Sequence, residues 1–158
     1  MAETRGTTRL RAAGIEHRLH RYRYQAGAGA AEQAAEALDV EPERMFKSLV
    51  ARAGEAAVFA LVPAGRELSL KRLAAAAGVR SARMAEPRDA ERLTGYQVGG
   101  ISPLGSRRAL PVYLDRSALD HEQICLNAGG RGLIVELRTA DLVAVTGAMA
   151  AELTSAIG

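Results

Sequence analysis

"RMFKSLVARAGEAAVFALVP", residues 44–63, reads as two strands across a turn at Gly54. In the first, the alternate positions Met45, Lys47, Leu49 and Ala51 share a face, so a lysine stands in an otherwise apolar row. The second, "EAAVFALVP", is more continuously apolar, as a strand covered on both faces would be. The pair is expected at the centre of a sheet. It also raises the question of what an ammonium group does on an apolar face.

Working outward from the hairpin, "TTRLRAAG" suits a short helix closed by Gly14, and "IEHRLHRY" suits a strand. "AGAGAAEQAAEALDV" gives a flexible lead into an alanine-rich helix ending near Leu38. Its "GAGAAE" lacks both the third glycine and the preceding buried strand of a dinucleotide fingerprint. Beyond the hairpin, "ELSLKRLAAAAG" predicts a helix capped by Ser69 and stopped by Gly78. A short strand at 82–84 and a helix from Pro87 to about Leu93 follow. "ALPVYLD" and "QICLN" read as strands, "AGGRG" as a hairpin-like turn, "LIVEL" as a further strand, and "RTADLVAVTG" as a last helix capped by Thr139. The fold class is α/β (α+β): one domain over 1–158, with a mixed, mostly antiparallel, partly barrel-like sheet flanked by helices.

The chain has 158 residues, 48% hydrophobic and 25% charged, with a net charge of +3, as in an ordinary globular protein. No apolar run reaches the roughly 18 residues of a membrane span, and the first residues lack the apolar core of a signal peptide. A cytoplasmic protein is expected. One cysteine, Cys125, leaves no internal disulfide, and with His17, His20 and His121 it makes no metal-ligand spacing. Neither metal nor cofactor is expected. Six arginines between Arg5 and Arg23 crowd the first 24 residues against Glu3 and Glu16, forming either a surface for a phosphate backbone or a solvated basic face. Of 21 basic residues, Lys47 and Lys71 alone are lysines. Lys47 is then either a place where a compact ammonium suits and a wide guanidinium does not, or a lysine whose stem crosses the apolar face while its head reaches water; Lys71, at an ordinary exposed helix position, shows that the choice of lysine does not decide between them.

"TGYQVGGISPLG", residues 94–105, breaks the pattern, with four glycines among apolar residues and no helical or strand periodicity. Two readings stand. Either the glycines let backbone N–H groups converge on an anion or a polarised carbonyl, or they permit a tight crossover between helix and sheet.

In order and spacing, "FKSLV" (46–50), "TGYQVGGISPLG" (94–105), "ALPVYLD" (109–115) and "GGRGLIVEL" (129–137) resemble the YbaK/EbsC family. These are free-standing aminoacyl-tRNA deacylases related to the editing domain inserted in bacterial prolyl-tRNA synthetases. The likeness runs from about residue 8 to residue 146. It implies hydrolytic proofreading of mischarged tRNA, foremost Cys-tRNA(Pro). It makes Lys47 the key lysine, Tyr22 a pocket tyrosine, and Gly99, Gly100, Ile101, Ser102 and Pro103 the glycine-loop wall. Ser48, where the family usually has threonine, joins Gly129 and Ile134 as substrate-binding positions. The loop N–H groups near Gly100 and Ile101 would bind the oxygen on which charge develops. Implied partners are aminoacyl-tRNA of the tRNA(Pro) type and a transient contact with prolyl-tRNA synthetase, with no membrane and no DNA.

In the YbaK type, the substrate's own thiol attacks its ester, which suits a sequence without a nucleophile elbow. Ser102, His121 and Asp115 make a triad only on paper, and Cys125 in "QICLN" reads as a small apolar strand residue. The chain departs from the family where "GLIVEL" puts Ile134 in place of an acidic residue, removing a carboxylate suited to the substrate's α-ammonium. An Ala-tRNA(Pro) deacylase using water and a non-catalytic tRNA-binding module therefore stay open. A phosphate-ligand binding protein would rest on the glycine loop alone.

Overall fold

In the computed structural model, which describes residues 3–27 and 29–155, the hairpin forms where its apolar pattern predicts it. β1 is His17–Arg21, β2 Phe46–Ala53 and β3 Ala56–Pro63. The last two pair antiparallel, from Phe46 opposite Pro63 to Ala53 opposite Ala56. β4 (Ala82–Met84) lies antiparallel on the far side of β2, while β5 (Val112–Asp115) joins β3 in parallel. β6 (Gln123–Gly130) and β7 (Leu133–Arg138) form a second hairpin, irregular between Asn127 and Gly130, and β1 pairs antiparallel with β7. β8 (Met149–Ala151), which the sequence reading did not anticipate, adds to β5 in parallel.

The single, partly barrel-like sheet expected from the sequence is therefore two open sheets, ordered β4-β2-β3-β5-β8 and β1-β7-β6. An isolated parallel bridge between Met45 and Cys125 ties them. The reason lies in the apolar faces. Phe46, Val50, Phe59, Leu61 and Leu114 of the larger sheet share one core with Ile124, Leu126, Leu133 and Val135 of the smaller. At about 1.5–3 kcal/mol for each large side chain taken fully out of water, facing the sheets outweighs closing their edges.

Helices cover the remaining faces. α1 (Arg5–Ala12) starts at Thr4, whose hydroxyl accepts from the Thr7 N–H while the Thr7 hydroxyl accepts from the Thr4 N–H. α2 (Ala30–Leu38) lays Ala31, Ala34 and Ala35 against Met45, Cys125 and Ile134, where small side chains permit a close approach. Ala28, in the lead before it, lies outside the described residues. α3 (Leu70–Ala77) is capped by Ser69 and ended by Gly78 as expected, and it packs Leu73 on Ala51, Val58 and Val62. α4 (Pro87–Thr94) opens on proline. α5 (Thr139–Thr146) is capped at Arg138 rather than Thr139, because the Thr139 hydroxyl donates to the His121 carbonyl instead. Among the described residues no helix is long and apolar enough to cross a membrane.

Candidate active site

A cavity of about 420 Å³ opens where the head of α2, the first half of β2, the smaller sheet, residues 84–90 and residues 98–101 meet. The size suits a small-molecule moiety. Lys47 and Glu32 line it, with Lys47 Nζ 3.2 Å from Glu32 Oε2. Leu49 and Ala51, on the same side of β2, belong to the core beneath α3, whereas Lys47 at the strand's opening end finds a carboxylate instead. That is why an ammonium is tolerated in the row. Its side chain is 17% exposed against 47% for Glu32, so the lysine is the deeper partner.

Local structure brings Glu32 there. Gly29 is the N-cap of α2 with no side chain to offer, and Glu32 stands three residues on, where a glutamate folds back over the helix start. A methyl group on Gly29 would run into that carboxylate. Beside Lys47, Ser48 lies between Phe46 and Val50, lines the cavity, and buries a hydroxyl with no partner among the described residues. An unpaired buried hydroxyl costs about 1–3 kcal/mol, so a ligand oxygen or a water reaching it is favoured. Tyr22 donates its hydroxyl to the Ala30 carbonyl, and burial, followed by the nearby Tyr24, raises its pKa. Ile134, 2% exposed, gives the wall an apolar patch.

The glycine segment turns out to be a packing device. Gly95 and Gly105 leave room for Arg5, which stacks on the Tyr96 ring and donates to the carbonyls of Thr94 and Gly105. A methyl on Gly99 would lie 2.6 Å from Tyr24, and one on Gly100 would lie 2.9 Å from the Arg131 amide nitrogen. The Gly100 N–H is spent on the Gln97 carbonyl, which removes it as an oxyanion donor, while the Ile101 N–H has no acceptor among the described residues.

Of the expected site residues, Tyr22, Lys47, Ser48, Gly99, Ile101 and Ile134 line the cavity, and Gly100, Ser102, Pro103 and Gly129 do not. Ser102 is fully buried, its hydroxyl accepting from the Leu104 N–H, and Gly129 packs against the Tyr96 ring. The Asp115 carboxylate is held by Ser117 and the Leu153 N–H, so no triad assembles with Ser102 and His121. Cys125 is fully buried, and burial, with Glu136 adding to it, pushes its thiol up to about 11, far from a reactive thiolate. Sequence reasoning missed Glu32 and Asn127. Asn127 holds the wall, donating to the carbonyls of Gly99 and Gly130 and accepting from the N–H groups of Gly129 and Gly130. The signal for Glu32 was the Gly29-to-Glu32 spacing at a helix start.

Comparison with known proteins places this geometry. Residues 25–145 match the aminoacyl-tRNA editing domain. Over 126 residues, 79% of this chain and 77% of the relative, the chain is 38% identical to EbsC of Enterococcus faecalis, provisionally named a Cys-tRNA(Pro)/Cys-tRNA(Cys) deacylase. A segment covering 48% of the chain is 39% identical to 13% of the proline–tRNA ligase of Thermosipho africanus. A crystal structure of a protein provisionally described as a trans-editing enzyme for prolyl-tRNA synthetase superposes with a TM-score of 0.79 at 26% identity, covering 98% of this chain and 100% of that one. Matched by the editing domain over most of its length and by EbsC over 79% of it, the chain belongs to the aminoacyl-tRNA editing (YbaK) family.

Proposed function

We propose that the protein clears mischarged tRNA(Pro) in trans, with Cys-tRNA(Pro) as its main substrate, in the cavity between β2 and residues 98–101. The observation that carries this reading is Lys47, a charged donor held at the wall of a largely apolar cavity beside the unpaired Ser48 hydroxyl. Lys47 Nζ would hold the ester carbonyl region. The Ile101 N–H would meet the oxygen on which charge develops.

Among the described residues no histidine or cysteine lines the cavity, and its one carboxylate, Glu32, is half-exposed and paired with Lys47, which favours attack from within the substrate. The cysteinyl sulfur adds to its own ester carbonyl and the bond to the ribose oxygen breaks. The thiol proton passes by way of solvent to that oxygen, and a cyclic thiolactone leaves. The chain's part is then to exclude competing geometries and stabilise charge.

Approach of the acceptor stem would use β1, an edge strand whose Arg18 and Arg21, with Arg23 just beyond, make no ion pair among the described residues. Such a role belongs in the cytoplasm beside prolyl-tRNA synthetase.

The test is deacylation of Cys-, Ala- and Pro-tRNA(Pro) by wild type and Lys47→Ala, with spontaneous hydrolysis subtracted. The cysteinyl ester should disappear fastest, and the variant should lose roughly a hundredfold in rate while keeping its circular dichroism spectrum and Tm. Preferential loss of alanine would move the attack to water. Binding of tRNA without turnover of any ester would leave a non-catalytic module.

A further inference from the structure

The geometry points to Glu32 as the group that recognises the α-ammonium of the bound ester, an inference that rests on the deacylase reading. Among the described residues lining the cavity, Glu32 is the one carboxylate and Lys47 the one cation. Ile134, packed against α2, gives the neighbouring part of the wall an apolar surface that offers an ammonium nothing. Of the other polar side chains of the lining, Asn127 is committed to the backbone of Gly99, Gly129 and Gly130, and Tyr22, which donates to the Ala30 carbonyl, has only a neutral phenol oxygen left to offer. Ser48 alone is unpaired, and a neutral hydroxyl is a weak partner for a cation.

Glu32 has capacity to spare. Lys47 engages Oε2, whereas Oε1 lies over Gly29 and accepts no hydrogen bond from the described residues. A carboxylate accepts several donors at once. An α-aminoacyl ester carries its ammonium one carbon from the carbonyl, so an ammonium on Glu32 brings the carbonyl beside Lys47. The existing ion pair thus holds both protein groups at the spacing the substrate needs. Glu32 is also the more exposed of the two and the freer to re-aim. Its position depends on Gly29, where a side chain would occupy the carboxylate's place; the φ of −61° there suits alanine equally well.

The experiment compares Cys-tRNA(Pro) and Ala-tRNA(Pro) with their α-hydroxy counterparts, mercaptolactyl- and lactyl-tRNA(Pro), in which a neutral hydroxyl replaces the ammonium at nearly equal size. Wild type should prefer the aminoacyl ester by about tenfold to a hundredfold in kcat/KM, the range of a charge-assisted hydrogen bond. Glu32→Gln should bring that preference close to unity, mainly through KM. Gly29→Ala should reduce it in part, and Glu32→Asp should retain some of it. A wild type that treats the two ester classes alike, or a Glu32→Gln variant that keeps the full preference, overturns the assignment while the deacylase stands. A wild type that clears none of the four esters removes the deacylase reading and this inference with it.

Discussion

In residues 94–105, Gly100 and Gly105 cede their side-chain space to backbone, that of Gly130 and Arg131 and that of Arg5, while Gly95 and Gly99 cede theirs to side chains that are themselves tied down, the hydrogen-bonded Arg5 guanidinium and the Tyr24 ring under Arg131. At the head of α2, Gly29 cedes its space to the carboxylate of Glu32, the far end of a flexible side chain. One set of glycines makes a wall rigid; the other leaves a charge room to move. The same residue type thus serves opposite ends on two sides of one cavity, and what fills the vacated space tells them apart.

Alanine scanning of the two regions tests that contrast most directly. Gly100→Ala forces a methyl against peptide atoms that cannot yield, and the expected cost is about 1–3 kcal/mol, a fall of roughly 3–10 °C in Tm. Gly29→Ala should lower Tm by only about 1–3 °C, because the Glu32 carboxylate can move aside and what is lost is mainly the better N-cap, about 0.5–1 kcal/mol. Equal losses by thermal denaturation would break the comparison.

Ser48→Ala sharpens it from the cavity side. Removing an unpaired hydroxyl should leave the stability of the free protein unchanged or raise it by up to about 1 kcal/mol, while lowering deacylation about tenfold. Urea denaturation reads the first effect, and a fall in stability would mean that the hydroxyl has a partner in the folded protein.

The smallest effect belongs to Glu136 on the smaller sheet, 3.1 Å from His20 Nε2 and 3.4 Å from Arg44 Nη1. Burial, the largest single influence, raises its pKa, but the hydrogen bonds and charges of His20 and Arg44 together bring it below the usual 4.5. A depressed carboxylate stabilises the fold fully above its ordinary pKa and stops doing so as the pH falls through the lower folded value. Glu136→Gln should therefore flatten the acid limb of a stability-against-pH curve below about pH 4.5, by under about 1 kcal/mol. An unchanged limb would place the acid sensitivity elsewhere.

Much of the fold was legible because its signals are local. Ser69 and Gly78 bracket α3, Pro87 opens α4, and the apolar run of β3 announced a strand covered on both faces. The division into two sheets was not, because β1 finds its partner in β7, and no local pattern states which distant strand pairs with which. β8 is three residues of methionine and alanine, too short for a period to show. At the site, Lys47 stood out as a charge in an apolar row, whereas Glu32 sat in an alanine-rich helix where a glutamate reads as surface. Its role depends on which element α2 faces. The glycine segment stayed open to two readings because its glycines answer to Arg5 and Tyr24, residues about a hundred and about seventy-five positions away in sequence.

Arg5 binds the carbonyls of Thr94 and Gly105, the two ends of the glycine segment, and so works as a staple across a wall of the cavity. The order of the first helix and the order of that wall are then thermodynamically linked. Anything that frays α1 loosens the wall, and by reciprocity a ligand that prefers the ordered wall tightens α1. A protease acting at the amino terminus would in this way sense what occupies a cavity it never touches.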